Sequence, residues 1–215
     1  ETTADAKMIK HLAAWNGKLY SAYGDYGVNT GPCWISAFDP VSRTFSDKLK
    51  AGTEELEFYR TIQGRLYVPA AQAGGQIYLG IMNAGADTWE TRVAGAGAIH
   101  LFDMATLNGT DLWLCGAGSD MKAKVWRSTD GGNTWSLSLD VNCDSGDDWG
   151  RFYWLCVING KLYVQNYGLY AASDNHSYVF NGTSWSSTGP NLGWMDKPVN
   201  FAGKAVFGGF YGSSA

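Results

Sequence analysis

Short runs in which apolar or aromatic residues alternate with polar ones recur along the chain, and each run follows a turn signal. The turn signals are Asn16-Gly17, Gln63-Gly64, Asn108-Gly109, Asn159-Gly160 and Ala202-Gly203. A period of two is typical of half-buried strands. Asn-Gly between two such runs predicts a β-hairpin, because both turn residues must accept a positive φ. The pattern predicts antiparallel strands, and residues 4–14 form the one short candidate with helical spacing.

A second set of dipeptides repeats with nearly the same period. These are Thr44-Phe45, Thr88-Trp89, Thr134-Trp135 and Ser184-Trp185. Both sets recur every 43 to 51 residues, which makes coincidence a poor explanation. In the second repeat, the pattern predicts strands at 57–62, 65–70, 76–82 and 88–93. Each repeat therefore corresponds to four antiparallel strands.

Four antiparallel strands in 40 to 50 residues form the unit of a β-propeller blade. The repeats cover 8–50, 55–95, 98–141 and 151–193, and 197–215 would supply only the first two strands of a fifth. The sequence predicts one all-β domain over 1–215, a β-propeller with four four-stranded blades and a partial fifth. An open ring leaves an edge strand exposed. Three arrangements would avoid this: residues 1–7 help complete a five-bladed ring, the chain is part of a larger propeller, or several chains assemble a ring. We expect a fragment or an assembly rather than a self-contained ring.

Composition and charge narrow the function classes. The chain has 28 Gly, 10 Trp and 12 Tyr, a net charge of −4 and no basic run, which argues against nucleic-acid binding. No apolar run approaches the roughly 20 residues of a membrane span. Of the four cysteines, Cys33, Cys115, Cys143 and Cys156, none forms a CxxC pair, which argues against zinc. Cys115 and Cys156 are expected to be buried thiols, and the disulfide state stays open.

Residues 128–135 resemble the Asp-box, or BNR repeat, of the form S-x-D-x-G-x-T-W. The matching positions are Ser128, Asp130, Gly132, Thr134 and Trp135. Weaker copies lie at 83–89 and 181–185, and 38–45 is similar to a kelch-type hairpin. The resemblance implies that the Ser and Asp brace the hairpin between the third and fourth strands, while the Trp packs between sheets. It thus implies a structural role for Asp130 rather than a catalytic one.

The Asp-box family spans sialidases, other glycosidases, sorting receptors, photosystem assembly factors and phage tail proteins, so the fold alone does not select a function. A sialidase of this family needs an arginine triad, a Tyr–Glu pair and an Asp acid/base. Arg60 and Arg151 are weak candidates, because first-strand side chains can face the central channel; surface ion pairing is the alternative reading. The Phe/Tyr-Arg-Ile-Pro motif is absent, since residues 58–62 lack the Pro. No catalytic residue is assigned. The three histidines, His11, His100 and His176, lie in no motif, and we expect a structural role for His100.

An acidic loop after the third repeat is a candidate metal site. Oxygen ligands stand at positions 1, 3, 5 and 9 of this loop, as Asp140, Asn142, Asp144 and Asp148. The spacing resembles the calcium loops of integrin-type propellers, and alternate oxygens can converge on Ca²⁺. Ser145 replaces the usual Gly and no Glu closes the loop, so a solvated acidic loop is the alternative.

Several aromatic residues fall outside the regular strands. They are Trp149, Tyr167, Tyr170, Trp194 and Tyr211. Exposed rings bind the apolar faces of sugars, although such rings can also cap a core. The leading interpretation is a non-catalytic recognition or adhesion propeller that binds carbohydrate on a cell or virion surface, as a phage tail or fibre component or a secreted lectin-like module. The alternatives are a sialidase-like glycoside hydrolase fragment and a structural scaffold of a virion or other assembly. A homo-oligomer or a larger assembly stays open for the protein.

Overall fold

The computed structural model of the protein describes residues 8–24, 31–71, 75–82, 87–142, 150–167, 176–190, 195–202 and 204–208. All helical or strand structure in these ranges is β-strand, which confirms the all-β prediction. The strands are β1 (Met8–Trp15), β2 (Lys18–Gly24), β3 (Cys33–Asp39), β4 (Thr44–Ala51), β5 (Glu55–Leu56), β6 (Arg60–Ile62), β7 (Arg65–Ala71), β8 (Gln76–Met82), β9 (Asp87–Val93), β10 (Ala98–Thr106), β11 (Leu112–Gly118), β12 (Ala123–Ser128), β13 (Ser136–Val141), β14 (Arg151–Ile158), β15 (Lys161–Tyr167), β16 (His176–Phe180), β17 (Trp185–Pro190), β18 (Asp196–Phe201) and β19 (Lys204–Gly208). No helix long and apolar enough to cross a membrane occurs in these ranges.

Consecutive antiparallel pairing groups these strands into four-stranded units. Unit 1 is β1–β4, unit 2 is β6–β9, unit 3 is β10–β13 and unit 4 is β14–β17. Strands β18 and β19 form a further antiparallel hairpin. Each unit therefore has an inner first strand and an outer fourth strand, joined in simple up-and-down order.

Three of the predicted two-residue turns have the backbone that the sequence requires. Trp15 pairs with Lys18 around Asn16 (φ 48°) and Gly17 (φ 72°), and the turns at 63–64 and 159–160 repeat this geometry. The third repeat differs, because Thr106 pairs with Leu112 across a five-residue loop. There the Asn108 side chain accepts hydrogen bonds from the amides of Thr110 and Asp111, at 3.0 and 2.7 Å. This local side-chain bonding favours the wider loop.

Two segments differ from the sequence prediction. The helical spacing of 4–14 does not produce a helix over Met8–Trp15, which pairs with β2 along its length and has a bulge after Ile9. The predicted strand 57–62 is shortened, because only Arg60–Ile62 is a strand, which pairs with β7. A separate strand, Glu55–Leu56, lies before the predicted range and bridges Gly24 of unit 1 and the end of β7. Pairing with β2 inside unit 1 overrides the local pattern in the first segment. In the second segment, a contact between units 1 and 2 does so.

The core lies in layers between successive units. One cluster, with Tyr20 and Tyr78, joins units 1 and 2; a second, with Leu101, joins units 2 and 3; a third, with Trp113 and Phe152, joins units 3 and 4. Trp89, Trp135 and Trp185 pack against these three clusters in the same order. Each of these tryptophans therefore fills the interface with the preceding unit. Sheets packed face to face in sequence, with their first strands on the inside, make the fold propeller-like.

Candidate functional site

The inner strands of all the units contribute to one group of side chains, which we call the axial cluster. It consists of His11 from β1, Phe58 and Arg60 from the segment that enters β6, Asp103 from β10, Trp154 from β14 and Lys197 from β18. Residues that are up to 186 positions apart in sequence thus meet where the first strands converge.

A bidentate ion pair lies at the middle of the axial cluster. The Nε and Nη2 atoms of Arg60 each donate to a different oxygen of Asp103, both at 2.7 Å. The fully buried Asp103 carboxylate also accepts the amides of Met104 and Leu155, at 2.8 and 2.9 Å, and Arg60 Nη1 donates to the carbonyl of Pro198 at 3.3 Å. The pair therefore connects β6, β10, β14 and β18.

The positive charge of Arg60 is stabilised by the Asp103 carboxylate. Burial opposes the charged guanidinium, but the Asp103 carboxylate and its hydrogen bonds outweigh burial and raise the pKa of Arg60. The Arg60 side chain is 19% exposed and that of Asp103 is 0% exposed, so this is an interior ion pair and not the surface pair that the sequence left open. All three guanidinium nitrogens donate within the protein, so three of the five N–H groups are engaged by Asp103 and Pro198.

His11 is a neutral ring in this environment. It stacks on Phe58 with 3.9 Å between ring centroids, and its Nδ1 accepts the amide of Tyr59 at 3.2 Å. Burial, followed by the positive charges of Arg60 and Lys197, lowers the pKa of His11 to about 4. The imidazole is therefore uncharged at neutral pH and serves as a packing and hydrogen-bonding group.

A second set of charges links β18 to units 1 and 2. Lys197 Nζ lies 3.4 Å from Glu57 and 5.0 Å from the centre of the Trp154 ring. Lys10 approaches the same Glu57 carboxylate at 3.8 Å and Glu55 at 3.4 Å. These contacts fix the position of the β18–β19 hairpin relative to the inner strands of both units.

A cavity of about 220 Å³ opens beside the ion pair. Arg60, Met104, Leu155, Cys156 and Pro198 are among the residues that line it. Burial raises the pKa of the Cys156 thiol to about 11, although the nearby Arg60 opposes this shift. A thiol that is protonated at neutral pH is a poor nucleophile. The described walls therefore offer apolar surface and a neutralised arginine rather than an activated nucleophile.

The other weak catalytic candidate, Arg151, has different surroundings. It lies at the start of β14, where its Nη1 donates to the Tyr153 hydroxyl at 3.1 Å. Burial and then the Arg151 charge lower the pKa of the buried His100 to about 4. Arg151 thus sits near His100 and Tyr153, whereas Arg60 is bound to Asp103.

The hairpin at 128–135 has a dense set of local hydrogen bonds. One oxygen of Asp130 accepts the Ser128 hydroxyl at 2.7 Å and the Thr134 amide at 2.9 Å, and the other accepts the Thr134 hydroxyl at 2.7 Å. These bonds, those from Thr134 foremost, lower the pKa of Asp130 far below its ordinary value. Ser128 in turn accepts the Gly132 amide at 2.8 Å. Asp130 is therefore engaged in bracing its own turn.

Gly132 and Trp135 complete that hairpin. Gly132 has a φ of +89°, and a side chain there would also approach Leu112 to 3.3 Å, so glycine suits the position on both counts. The Trp135 indole donates to the Gly132 carbonyl at 3.2 Å while its ring packs between units 2 and 3. The turn thereby orients the tryptophan that fills the interface.

The predicted calcium ligands fall only partly within the described ranges. The Asp140 carboxylate lies 3.3 Å from Lys122 Nζ and 3.6 Å from Lys124 Nζ. Asn142 directly follows β13. Asp144 and Asp148 lie outside the described residues. In the ranges that are described, no three His, Cys, Asp or Glu side chains come together as a metal site.

Most of the aromatic residues that the sequence predicts to bind sugar also lie outside the described ranges. Trp149, Tyr170, Trp194 and Tyr211 lie outside the described residues, and Tyr167 is the last residue of β15. The sequence interpretation missed Asp103, Trp154 and Lys197. A carboxylate inside the apolar run Leu101-Phe102-Asp103-Met104 was a usable signal, because a buried charge requires a partner.

The chain was compared with protein-family models, curated proteins and solved structures. No protein-family model matches the chain, and no curated protein matches it in sequence. Among solved structures, one described as YCF48 bound to D1 peptide is similar, with 18% identity and a TM-score of 0.46. The match covers 73% of this chain and 47% of that one, so this chain aligns with about half of the other's length. The class to which the protein is assigned, an all-β propeller-like fold, stands on its own strand pairing and layered core.

Proposed function

We propose that the protein is a non-catalytic recognition propeller that binds carbohydrate on a cell or particle surface. Two features, one in the axial cluster and one in the cavity beside it, support a binding role over catalysis. The Arg60 guanidinium donates three hydrogen bonds to Asp103 and Pro198, and the Cys156 thiol has a raised pKa. The Asp130 carboxylate is likewise occupied by its own hairpin. A rigid scaffold that presents binding groups from its ends fits this pattern.

The observation that carries the proposal is the common position of strand ends in unit 4. Arg151 pairs with Tyr167 and His176 pairs with Pro190, so these four residues lie at one end of the sheet. In the sequence, Trp149 precedes Arg151, Tyr170 follows Tyr167 and Trp194 follows Pro190. Four of the five candidate aromatics, Tyr167 included, therefore belong to segments that begin or finish at this end. Aromatic rings on segments that share one end of a sheet would suit the apolar faces of sugars.

Calcium and the ring architecture are further parts of the proposal. Asp140 and Asn142 stand at the same end of unit 3, and with Asp144 and Asp148 they would supply oxygen ligands to Ca²⁺. We take units 1 to 4 and the β18–β19 hairpin as five blades of one ring of the Asp-box type. The convergence of all five inner strands on the axial cluster supports this reading.

A glycan array tests the proposal directly. Labelled protein is expected to bind a defined set of glycans, and Trp149→Ala or Tyr170→Ala is expected to reduce binding at least about tenfold, since stacked rings carry much of such an interface. Phe45→Ala is the matched control, because Phe45 is 76% exposed but stands at the opposite end of unit 1. Repeating the array with a chelator tests the calcium component.

Two results would overturn this function. Binding to no glycan, with the protein folded and self-associated into a stable particle, would favour the scaffold alternative. Hydrolysis of a fluorogenic sialoside would favour a glycosidase, for which the position of Arg60 beside the cavity of about 220 Å³ is the supporting observation. In that case Arg60→Ala or Arg151→Ala should abolish turnover.

A further inference from the structure

The cavity of about 220 Å³ beside the axial cluster is a second candidate binding site, which we call the axial cavity. Its described wall comprises residues 60–62 of β6, residues 104–106 near the end of β10, residues 155–157 near the end of β14, and Pro198 of β18. Strand β14 begins at Arg151, at the end of unit 4 where the proposed carbohydrate site lies. The axial cavity therefore lies towards the opposite end of that unit.

The volume of the axial cavity limits the size of its ligand. An apolar cavity of about 150 Å³ is large enough to hold benzene. The axial cavity therefore accommodates a single ring with a short substituent, whereas an oligosaccharide does not fit. Small solutes can enter at the rim, because Thr61 is exposed there.

Apolar side chains make up most of the described wall. Ile62, Met104 and Leu155 are 6%, 0% and 2% exposed, and Ala105 and Val157 are half-buried. A polar group that enters such surroundings gives up its water, and this costs free energy unless it finds a hydrogen-bond partner. A molecule with many hydroxyl groups, such as a monosaccharide, is therefore a poor fit, and the wall favours an apolar ligand.

Arg60 is the one charged residue among the described residues that line the axial cavity. Its Nη1 and Nη2 atoms each carry two N–H groups. Nη1 donates one hydrogen bond to Pro198, and Nη2 donates one to Asp103. Each of the two atoms thus keeps one N–H that has no partner among the described residues. These donors favour a ligand that brings an oxygen acceptor, because hydrogen bonds to charged groups are stronger than neutral ones.

The Arg60–Asp103 ion pair also selects against an anionic ligand. Asp103 is fully buried and already compensates the charge of Arg60. A second carboxylate in the axial cavity would lie near the first one, and like charges at close range disfavour each other's charged forms. The Cys156 thiol in the wall, whose pKa is raised by burial, adds no charge at neutral pH. The ligand that suits the cavity is therefore uncharged.

We propose that the axial cavity binds a small uncharged molecule with an apolar ring and one carbonyl group. The ring lies against the apolar wall, and the carbonyl oxygen accepts a hydrogen bond from Arg60. This site is separate from the proposed carbohydrate site at the other end of unit 4. It also differs from the site of a sialidase, because it does not recognise a carboxylate.

Three probe molecules of similar size test the chemistry of the site: acetophenone, isopropylbenzene and benzoate. Each is titrated into the isotope-labelled full chain, and the backbone amide shifts are followed by NMR. Acetophenone is expected to produce saturable shifts at residues 60–62, 104–106 and 155–157. Isopropylbenzene lacks the acceptor and benzoate carries a charge, so each should bind more weakly by roughly tenfold or more.

A pair of alanine variants tests the location. Ala105→Leu should weaken acetophenone binding by roughly tenfold or more, because the larger side chain takes up space that the ligand needs. Ala13→Leu is the matched control, since Ala13 is also half-buried on a first strand but packs in the cluster between units 1 and 2. It should bind acetophenone as the wild type does. Thermal unfolding shows whether both variants are folded, and the three probes on the wild type decide the matter if one of them is not.

Four results would overturn the proposal. Acetophenone that produces no saturable shifts, or shifts only outside the three ranges, would show that the axial cavity is not its site. Benzoate that binds as tightly as acetophenone would contradict the selection against charge. An Ala105→Leu variant that binds acetophenone like the wild type would place the ligand elsewhere. Methyl glucoside that produces the same shifts would assign the axial cavity to carbohydrate instead.

Discussion

Asp130 is an exposed carboxylate whose hydrogen-bonding capacity is nevertheless filled by its own turn. The eight-residue motif around it was readable from the sequence, because all of its bonds are made within four residues. Asp103 shows the opposite case. Its main partner, Arg60, is 43 residues away, and no local pattern connects the two. Short-range chemistry of single residues is thus predictable here, whereas long-range pairing is not.

The pH dependence of stability should report the bonds to Asp130. Its folded-state pKa is depressed below the ordinary 3.8, so its contribution to the free energy of unfolding is complete above about pH 4 and is lost as the pH falls further. The stability difference between the wild type and Asp130→Asn should therefore be larger at pH 6 than at pH 3. Urea denaturation at the two pH values measures this difference.

Thr134→Val provides the control for that experiment. It removes the Thr134 hydroxyl, which donates the bond that most lowers the pKa of Asp130. An NMR titration of the Asp130 carboxyl should then show its pKa moving up towards the ordinary value. A stability difference that is the same at both pH values would contradict this account of the turn.

At the scale of elements, the turn residues in the sequence predict the strands. Tertiary contacts determine where some of these strands begin and end. Three two-residue turns have the positive φ values that their sequences indicate. The strand at Glu55–Leu56, which lies before the predicted strand 57–62, depends on Gly24 of unit 1 as its pairing partner. The strand at Met8–Trp15 depends in the same way on its pairing with β2. Periodicity within one segment carries no information about such partners.

The interface tryptophans give a prediction at this scale. Trp113 is fully buried between units 3 and 4, whereas Trp135 is half-buried between units 2 and 3. Trp113→Ala should therefore lower the free energy of unfolding by about 3–5 kcal/mol. Trp135→Ala should cost less, about 1–3 kcal/mol, because less apolar surface is lost. Chemical denaturation of both variants measures the two losses of unfolding free energy. An equal loss, or a larger loss for Trp135→Ala, would contradict the packing described here.

At the scale of the whole molecule, one ion pair connects four inner strands. The Arg60–Asp103 pair, with the bonds to the Leu155 amide and the Pro198 carbonyl, reaches from unit 2 to the β18–β19 hairpin. Four separate elements therefore depend on a single carboxylate and a single guanidinium. Interior pairs of this kind are costly to break at one side, because the remaining charge is buried without its partner.

Asp103→Asn should for this reason destabilise the protein by about 3–5 kcal/mol, since it leaves the Arg60 charge uncompensated in the interior. The double variant Arg60→Met with Asp103→Leu removes both charges, and it should be more stable than Asp103→Asn although it loses the bonds to Leu155 and Pro198. Denaturant unfolding compares the two, and hydrogen exchange at 204–208 reports whether β19 loosens with the pair. If Asp103→Asn costs less than about 1 kcal/mol, the axial pair is not what holds the inner strands together.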